Sequence, residues 1–126
     1  MSPARLALLA ASLSGVTAVA LGAFGAHALQ DVLNEHALSI WHTAVEYQFW
    51  HALALLAVGL LARERANVAL RCSAFAFIVG SVLFCASLYA LALGAPRWIG
   101  AITPLGGIAF IVGWFALALH AWREVE

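Results

Sequence analysis

Four stretches of this chain are long and apolar enough to cross a bilayer, and nothing else in the sequence limits its fold as strongly. A helix through the hydrocarbon core needs about 20 mostly apolar residues. Runs of that kind occupy about 6–26, 40–61, 72–93 and 103–122. Composition agrees, since 65% of the residues are hydrophobic and 10% charged, whereas an ordinary soluble domain is roughly a quarter charged. One water-exposed domain of 126 residues could not hide that much apolar side chain. The expected fold is all-α: a single polytopic membrane domain over residues 1–126, with four transmembrane helices. The connecting segments are short, so neighbouring helices should run antiparallel in a bundle.

Charge sets the expected orientation. Basic and acidic residues balance at 6 each, leaving no basic surplus for nucleic acid, so the bilayer is the first partner and nucleic acid is not one. With four spans, Arg5, Arg63, Arg65, Arg71 and Arg123 share the side that holds both termini, and only Arg97 lies on the other. That asymmetry places the termini in the cytoplasm and suits a bacterial inner membrane. Ala26-His27-Ala28 follows the first run as a signal-peptide cleavage site would. The run of about 21 residues is longer than the usual 7–15, however, so the first span is expected to be retained.

Short motifs suggest how the spans are joined and packed. Leu29, Val32, Leu33, His36, Ala37 and Ile40 recur at a spacing of three and four, which predicts a short interfacial amphipathic helix between spans one and two. Thr103-Pro104 predicts a capped start for span four. Span one carries Ala11, Gly15, Ala18, Gly22 and Gly25 along one stripe, and span four carries Gly106, Ala109, Gly113, Ala116 and His120 along another. Small residues let helix backbones approach closely in lipid. Gly15, Gly22, Gly25, Gly106 and Gly113 are therefore the expected packing positions, with both stripes set to face neighbouring helices and a shared seam between spans one and four as the expected pairing. Cys72 and Cys85 lie 13 residues apart on one helix and cannot pair, so each is expected to be a small buried hydrophobe. Trp41, Trp50, Trp98 and Trp122 read as an aromatic girdle that serves interfacial anchoring and packing.

Span two holds most of the intramembrane polarity. His42 and Glu46 lie one turn apart on one face, Thr43, Tyr47 and His51 form a line beside them, and Gln48 points away from both and needs a partner of its own. Polar groups at that depth are costly and should face the bundle interior or another subunit. Glu46 has three readings: a hydrogen-bonded structural residue, a proton or ligand site, or a carboxylate near the outer headgroups. His42 and Glu46, with His27 or His36, offer nitrogen and oxygen ligands for a metal, and His51 offers an axial haem ligand. The sequence has no HExxH, paired CxxC or Cys-x-x-Cys-His motif, so no cofactor and no metal site is expected. Phosphate loops and nucleophile-activating sets are absent as well, and no catalytic residue is expected.

Several segments together carry a resemblance. They are Gly22-Ala23-Phe24-Gly25-Ala26-His27-Ala28-Leu29, Trp41-x-Thr43-Ala44-Val45-x-Tyr47-Gln48-x-x-His51-Ala52-Leu53, Gly80, Ser87-Leu88-Tyr89, Ile102-Thr103-Pro104-Leu105-Gly106-Gly107 and Gly113-Trp114. In order and spacing the chain resembles domain-of-unknown-function family 423 over nearly its whole length. It departs at Cys85-Ala86-Ser87, where the family pattern has Ser-Gly-Ser. The resemblance implies a compact four-helix membrane protein with no assigned reaction, and it singles out His27, Thr43, Tyr47, Gln48, His51, Tyr89, Thr103 and Pro104 for testing.

The candidate ligand or proton site is accordingly His27, His42, Thr43, Glu46, Tyr47, Gln48 and His51. The leading expectation is a non-enzymatic binding or assembly module, with a homo-oligomer or a membrane complex as its setting. Two alternatives remain open: an oligomeric proton-coupled small-molecule transporter using Glu46, and a metal- or haem-binding membrane subunit.

Overall fold

A computed structural model describes residues 1–125. Its four membrane-length helices run Pro3–His27, Glu35–Glu64, Val68–Ala92 and Arg97–Glu124, and the described residues contain no strand. Helices suit lipid because they satisfy their own backbone groups. Three of them begin at side chains that take up an otherwise unpartnered N–H. Ser2 Oγ accepts from the Arg5 amide at 3.1 Å, Asn34 Oδ1 from Ala37 at 2.8 Å and Asn67 Oδ1 from Leu70 at 2.9 Å. Span three stops where Gly94 takes a φ of 98°, a left-handed conformation that suits glycine. There the amides of Gly94 and Ala95 reach back to the carbonyls of Leu91 and Ala90 at 3.1 and 2.9 Å.

Two junctions differ from the sequence expectation. No separate interfacial helix joins spans one and two. Residues 28–34 form turns, and Asn34 caps span two itself, so that His36, Ala37 and Ile40 belong to its first turns. Leu29 is buried against Trp41 and Ala92 rather than laid on the headgroups. Thr103 is not a cap either. A 3-10 turn over Arg97–Ala101 leads into the helix Thr103–Glu124. The Ile102 carbonyl already accepts from Leu105 and Gly106, and the Thr103 hydroxyl instead meets Ser87 Oγ at 2.6 Å.

The bundle is built from two hairpins, span one along span two and span three along span four. The expected seam between spans one and four is replaced by these sequential pairings. Within them most of the stripe glycines lie close against a neighbouring helix. A β-carbon on Gly25 would lie 2.5 Å from Trp41 Nε1, one on Gly113 would lie 2.6 Å from the Phe77 ring, and one on Gly106 would lie 2.7 Å from Phe84 Cα. Gly22 is looser, 3.3 Å from Val45 Cγ1, and Gly15 has nothing within 4 Å. Gly15 is therefore not a packing glycine within the chain. Its stripe passes instead through Ser14, whose carbonyl meets span two at Gln48.

Side-chain hydrogen bonds pin the hairpins. The Trp41 indole N–H donates to the Leu21 carbonyl at 2.9 Å, and Ser73 Oγ donates to the Gly113 carbonyl at 2.9 Å. Trp41 is buried, so its part in the aromatic set is packing, whereas Trp50, Trp98 and Trp122 are exposed. Both cysteines are free, and only Cys85 is buried, with Cys72 on the surface of span three. Span three is α-helical over Val68–Gly80 and Ala86–Ala92, with a π-helical turn over Ser81–Cys85 between them. That turn inserts extra backbone and re-aims the side chains that follow.

Candidate functional site

The polar line of span two divides between the inside and the outside of the bundle. Gln48 and His51 are buried and Tyr47 is half-buried, while His42 and Glu46 are exposed on the opposite side of the helix. Thr43 is half-buried and its hydroxyl donates to the Ser39 carbonyl at 3.0 Å. His27 is exposed at the end of span one. The seven predicted residues thus do not form one site. Three turn inward, toward two separate centres.

The first centre surrounds Gln48. Its Nε2 donates to the Ser14 carbonyl at 3.0 Å and to Thr17 Oγ1 at 2.6 Å, and its Oε1 accepts from the Tyr89 hydroxyl at 2.7 Å. Thr17 in turn donates to the Leu13 carbonyl at 2.9 Å. One amide therefore ties spans one, two and three together. Beside it lies a cavity of about 400 Å³ whose walls include Leu13, Leu55, Ile78 and Val82. No charged residue lines it. Two further hydroxyls, Ser14 Oγ and Ser81 Oγ, border the cavity and are buried with no hydrogen-bond partner among the described residues. Ser12 and Thr17 on the same helix bond back to the carbonyls of Leu8 and Leu13, whereas Ser14 Oγ does not. Ser81 opens the π-helical turn, a device that often accompanies functional positions. Leaving a buried hydroxyl unpaired costs about 1–3 kcal/mol, so two of them beside one cavity mark a place where polar partners are wanted.

The second centre surrounds His51, and it is closed. Nδ1 lies 2.7 Å from the Tyr47 carbonyl, which can only accept, so this nitrogen carries the proton. Nε2 accepts from the Trp114 indole N–H at 3.1 Å. The ring stacks on Phe110 with centroids 3.6 Å apart and planes 11° apart, and Phe77 closes in at 5.4 Å. Both ring nitrogens are spent on structure, and neither presents a free lone pair to a haem or a metal. Among the described residues no three His, Cys, Asp or Glu side chains converge as a metal site. A larger groove of about 710 Å³ runs along this centre between spans two and four. Its walls are aromatic and aliphatic apart from the Tyr47 hydroxyl, and the one imidazole within it, His51, is already engaged.

Sequence reasoning identified Gln48 as needing a partner and marked Tyr89, but it missed Ser14, Thr17 and Ser81. Ser14 and Thr17 lie three apart on span one, flanking the small-residue stripe. That spacing was the available signal. Ser81 had none, being a single hydroxyl in an otherwise apolar stretch of span three.

Comparison with known proteins gives a consistent family assignment and no activity. Residues 21–107 match the family described as "Protein of unknown function (DUF423)". A UPF0382 membrane protein of Haemophilus influenzae is 46% identical over 113 residues, covering 90% of each chain. One from Staphylococcus epidermidis is 40% identical over 115 residues, covering 91% of this chain and 93% of its own. The UPF0382 membrane protein YwdK of Bacillus subtilis is 37% identical over 118 residues, covering 93% and 96%. No solved structure matches the chain.

Proposed function

The chain belongs to the DUF423 family of proteins of unknown function, and within that family we propose a non-enzymatic role for it: a membrane binding module that holds a small neutral amphiphile. The cavity beside Gln48 carries this reading. Its volume of about 400 Å³ lies in the range of roughly 300–1,000 Å³ usual for ligand pockets. Apolar walls suit a hydrocarbon tail. The unpartnered hydroxyls of Ser14 and Ser81 suit a head group that both donates and accepts. A charged head would have to give up its hydration with no countercharge in the lining, which is costly. Leu13, Val82 and Ala86 line the cavity and are also exposed, so a ligand enters sideways from the bilayer between spans one and three. Glu46 is not among the lining residues, which sets this reading apart from a proton-coupled transporter.

The setting follows from the charges. Five of the six arginines fall on the side of the termini and the Arg63–Arg71 segment, which supports an inner-membrane protein with both termini in the cytoplasm.

Thermal unfolding in maltoside detergent tests the binding reading with three probes of one tail length: dodecanol, dodecanoate and dodecylammonium. Dodecanol is expected to raise the unfolding temperature and the charged probes are not. Ser81→Leu fills the cavity and removes one lone hydroxyl, so it should raise the basal unfolding temperature and abolish the dodecanol shift. Equal shifts from all three probes, or a dodecanol shift that survives Ser81→Leu, would reject the assignment.

A further inference from the structure

The outer face of span two bears a feature that the cavity does not use. Glu35, Ser39, His42, Glu46, Phe49, Leu53, Leu56 and Leu60 follow one another at steps of four and three, and every one of them is exposed. A repeat that averages 3.5 residues is the spacing of a seam between two supercoiled helices. The upper part of this line is polar and the lower part apolar. Glu46 sits eleven residues past the first residue of a 30-residue helix. A helix of that length spans about 45 Å, so with its middle in the core Glu46 lies roughly 9 Å inside the hydrocarbon. A carboxylate exposed at that depth is unfavourable unless something pairs with it. Neither His42 nor Glu46 has a side-chain hydrogen bond or ion pair within the described chain.

We infer that a second copy of this chain docks along this line as a parallel twofold pair, with His42 of each copy set against the partner's Glu46. The chemistry of the line selects its own copy as occupant. In a parallel seam a side chain at one core position enters a hole bordered by the residue four places further along the facing helix. For His42 that residue is the partner's Glu46. Twofold symmetry repeats the contact, so one acid and one imidazole per chain become two complementary pairs. Phe49, Leu53, Leu56 and Leu60 continue the seam inward. Gly15 and Ser12 border a shallow groove with Phe49 and Leu53, so span one leaves room beside the seam instead of obstructing it. The open space over Gly15, where an added β-carbon would meet nothing of its own chain, is accounted for by the same arrangement.

Disulfide cross-linking in native membranes tests the inference, in a Cys72→Ser, Cys85→Ala background. Leu56→Cys, on the seam, is expected to yield a cross-linked pair on mild oxidation. Phe115→Cys, on the exposed face of span four, is not. In the Leu56→Cys protein, His42→Glu or Glu46→His alone should lower the cross-linked fraction at least about tenfold by opposing like groups. The double exchange, which restores one acid and one imidazole per chain, should recover it. No cross-link at Leu56→Cys, equal cross-linking at both positions, single exchanges as efficient as the parent, or a double exchange as weak as its singles would each overturn the inference. The dodecanol shift belongs to the cavity and is expected to be unchanged in the single exchanges, so the two readings fail separately.

Discussion

Gln48 shows how one side chain can hold three helices at modest cost. Its amide spends both hydrogens on span one and its oxygen on Tyr89 of span three. Gln48→Leu keeps similar bulk but strands the Tyr89 hydroxyl, and it should destabilise the bundle by about 1–3 kcal/mol. Tyr89→Phe strands Gln48 Oε1 and should cost a similar amount. The double variant removes both partners of that bond, so its cost should fall well below the sum. Reversible unfolding in mixed micelles measures all three, and additive costs would mean that the bond contributes little. Much of this centre was legible at the residue scale. A glutamine alone on its side of an apolar span demands a partner, and Tyr89 was already marked. What the sequence could not show is the split of the polar line, because helical spacing tells which residues share a face but not which face is buried. His42 and Glu46 form the more polar pair and were the natural interior candidates. The interior went instead to Gln48 and His51, which the neighbouring helices can satisfy completely.

Among elements, the glycines rank themselves by what a methyl group would meet. Gly106→Ala drives its β-carbon against the backbone of Phe84, Gly113→Ala meets the Phe77 ring, and Gly25→Ala meets Trp41. Backbone cannot step aside as a side chain can, so Gly106→Ala should be the most destabilising, followed by Gly113→Ala and Gly25→Ala, with Gly22→Ala milder. Gly15→Ala should be neutral to stabilising in the single chain, by up to about 1 kcal/mol, since alanine is the better helix former. Thermal unfolding in detergent gives the order, and a costly Gly15→Ala in monomeric protein would contradict it. Four of the five glycines on the sequence stripes lie against a neighbouring helix. At Gly15 the contact line runs through the neighbouring Ser14 instead. The π-helical turn of span three was not legible at all. It arises where Phe84 settles against Gly106, a long-range fit that no local pattern records.

For the whole molecule, arginine placement and the helix ends make a direct prediction. In a cysteine-free background, Asp31→Cys should react with an impermeant maleimide added outside intact cells, and Ala66→Cys only after permeabilisation. Reaction of Ala66→Cys from outside would invert the orientation. The number of spanning helices was legible because lipid imposes a length on any crossing helix. Which span sits beside which was not, since small residues on spans one and four announce close contact without naming the neighbour. The pairing that the structure adopts, span one with two and three with four, bears on how the protein is made. Each helix finds its main neighbour in the segment synthesised next to it, so one hairpin can complete its interface before the other has left the ribosome. The connection at Ala66 is exposed, and Asn67 beyond it bonds His120 at 2.8 Å, within the second hairpin. Two messages, one ending at residue 66 and one starting at residue 67, should therefore yield halves that meet in the membrane and purify together. Biogenesis would then treat this small protein as two insertion events followed by one docking step.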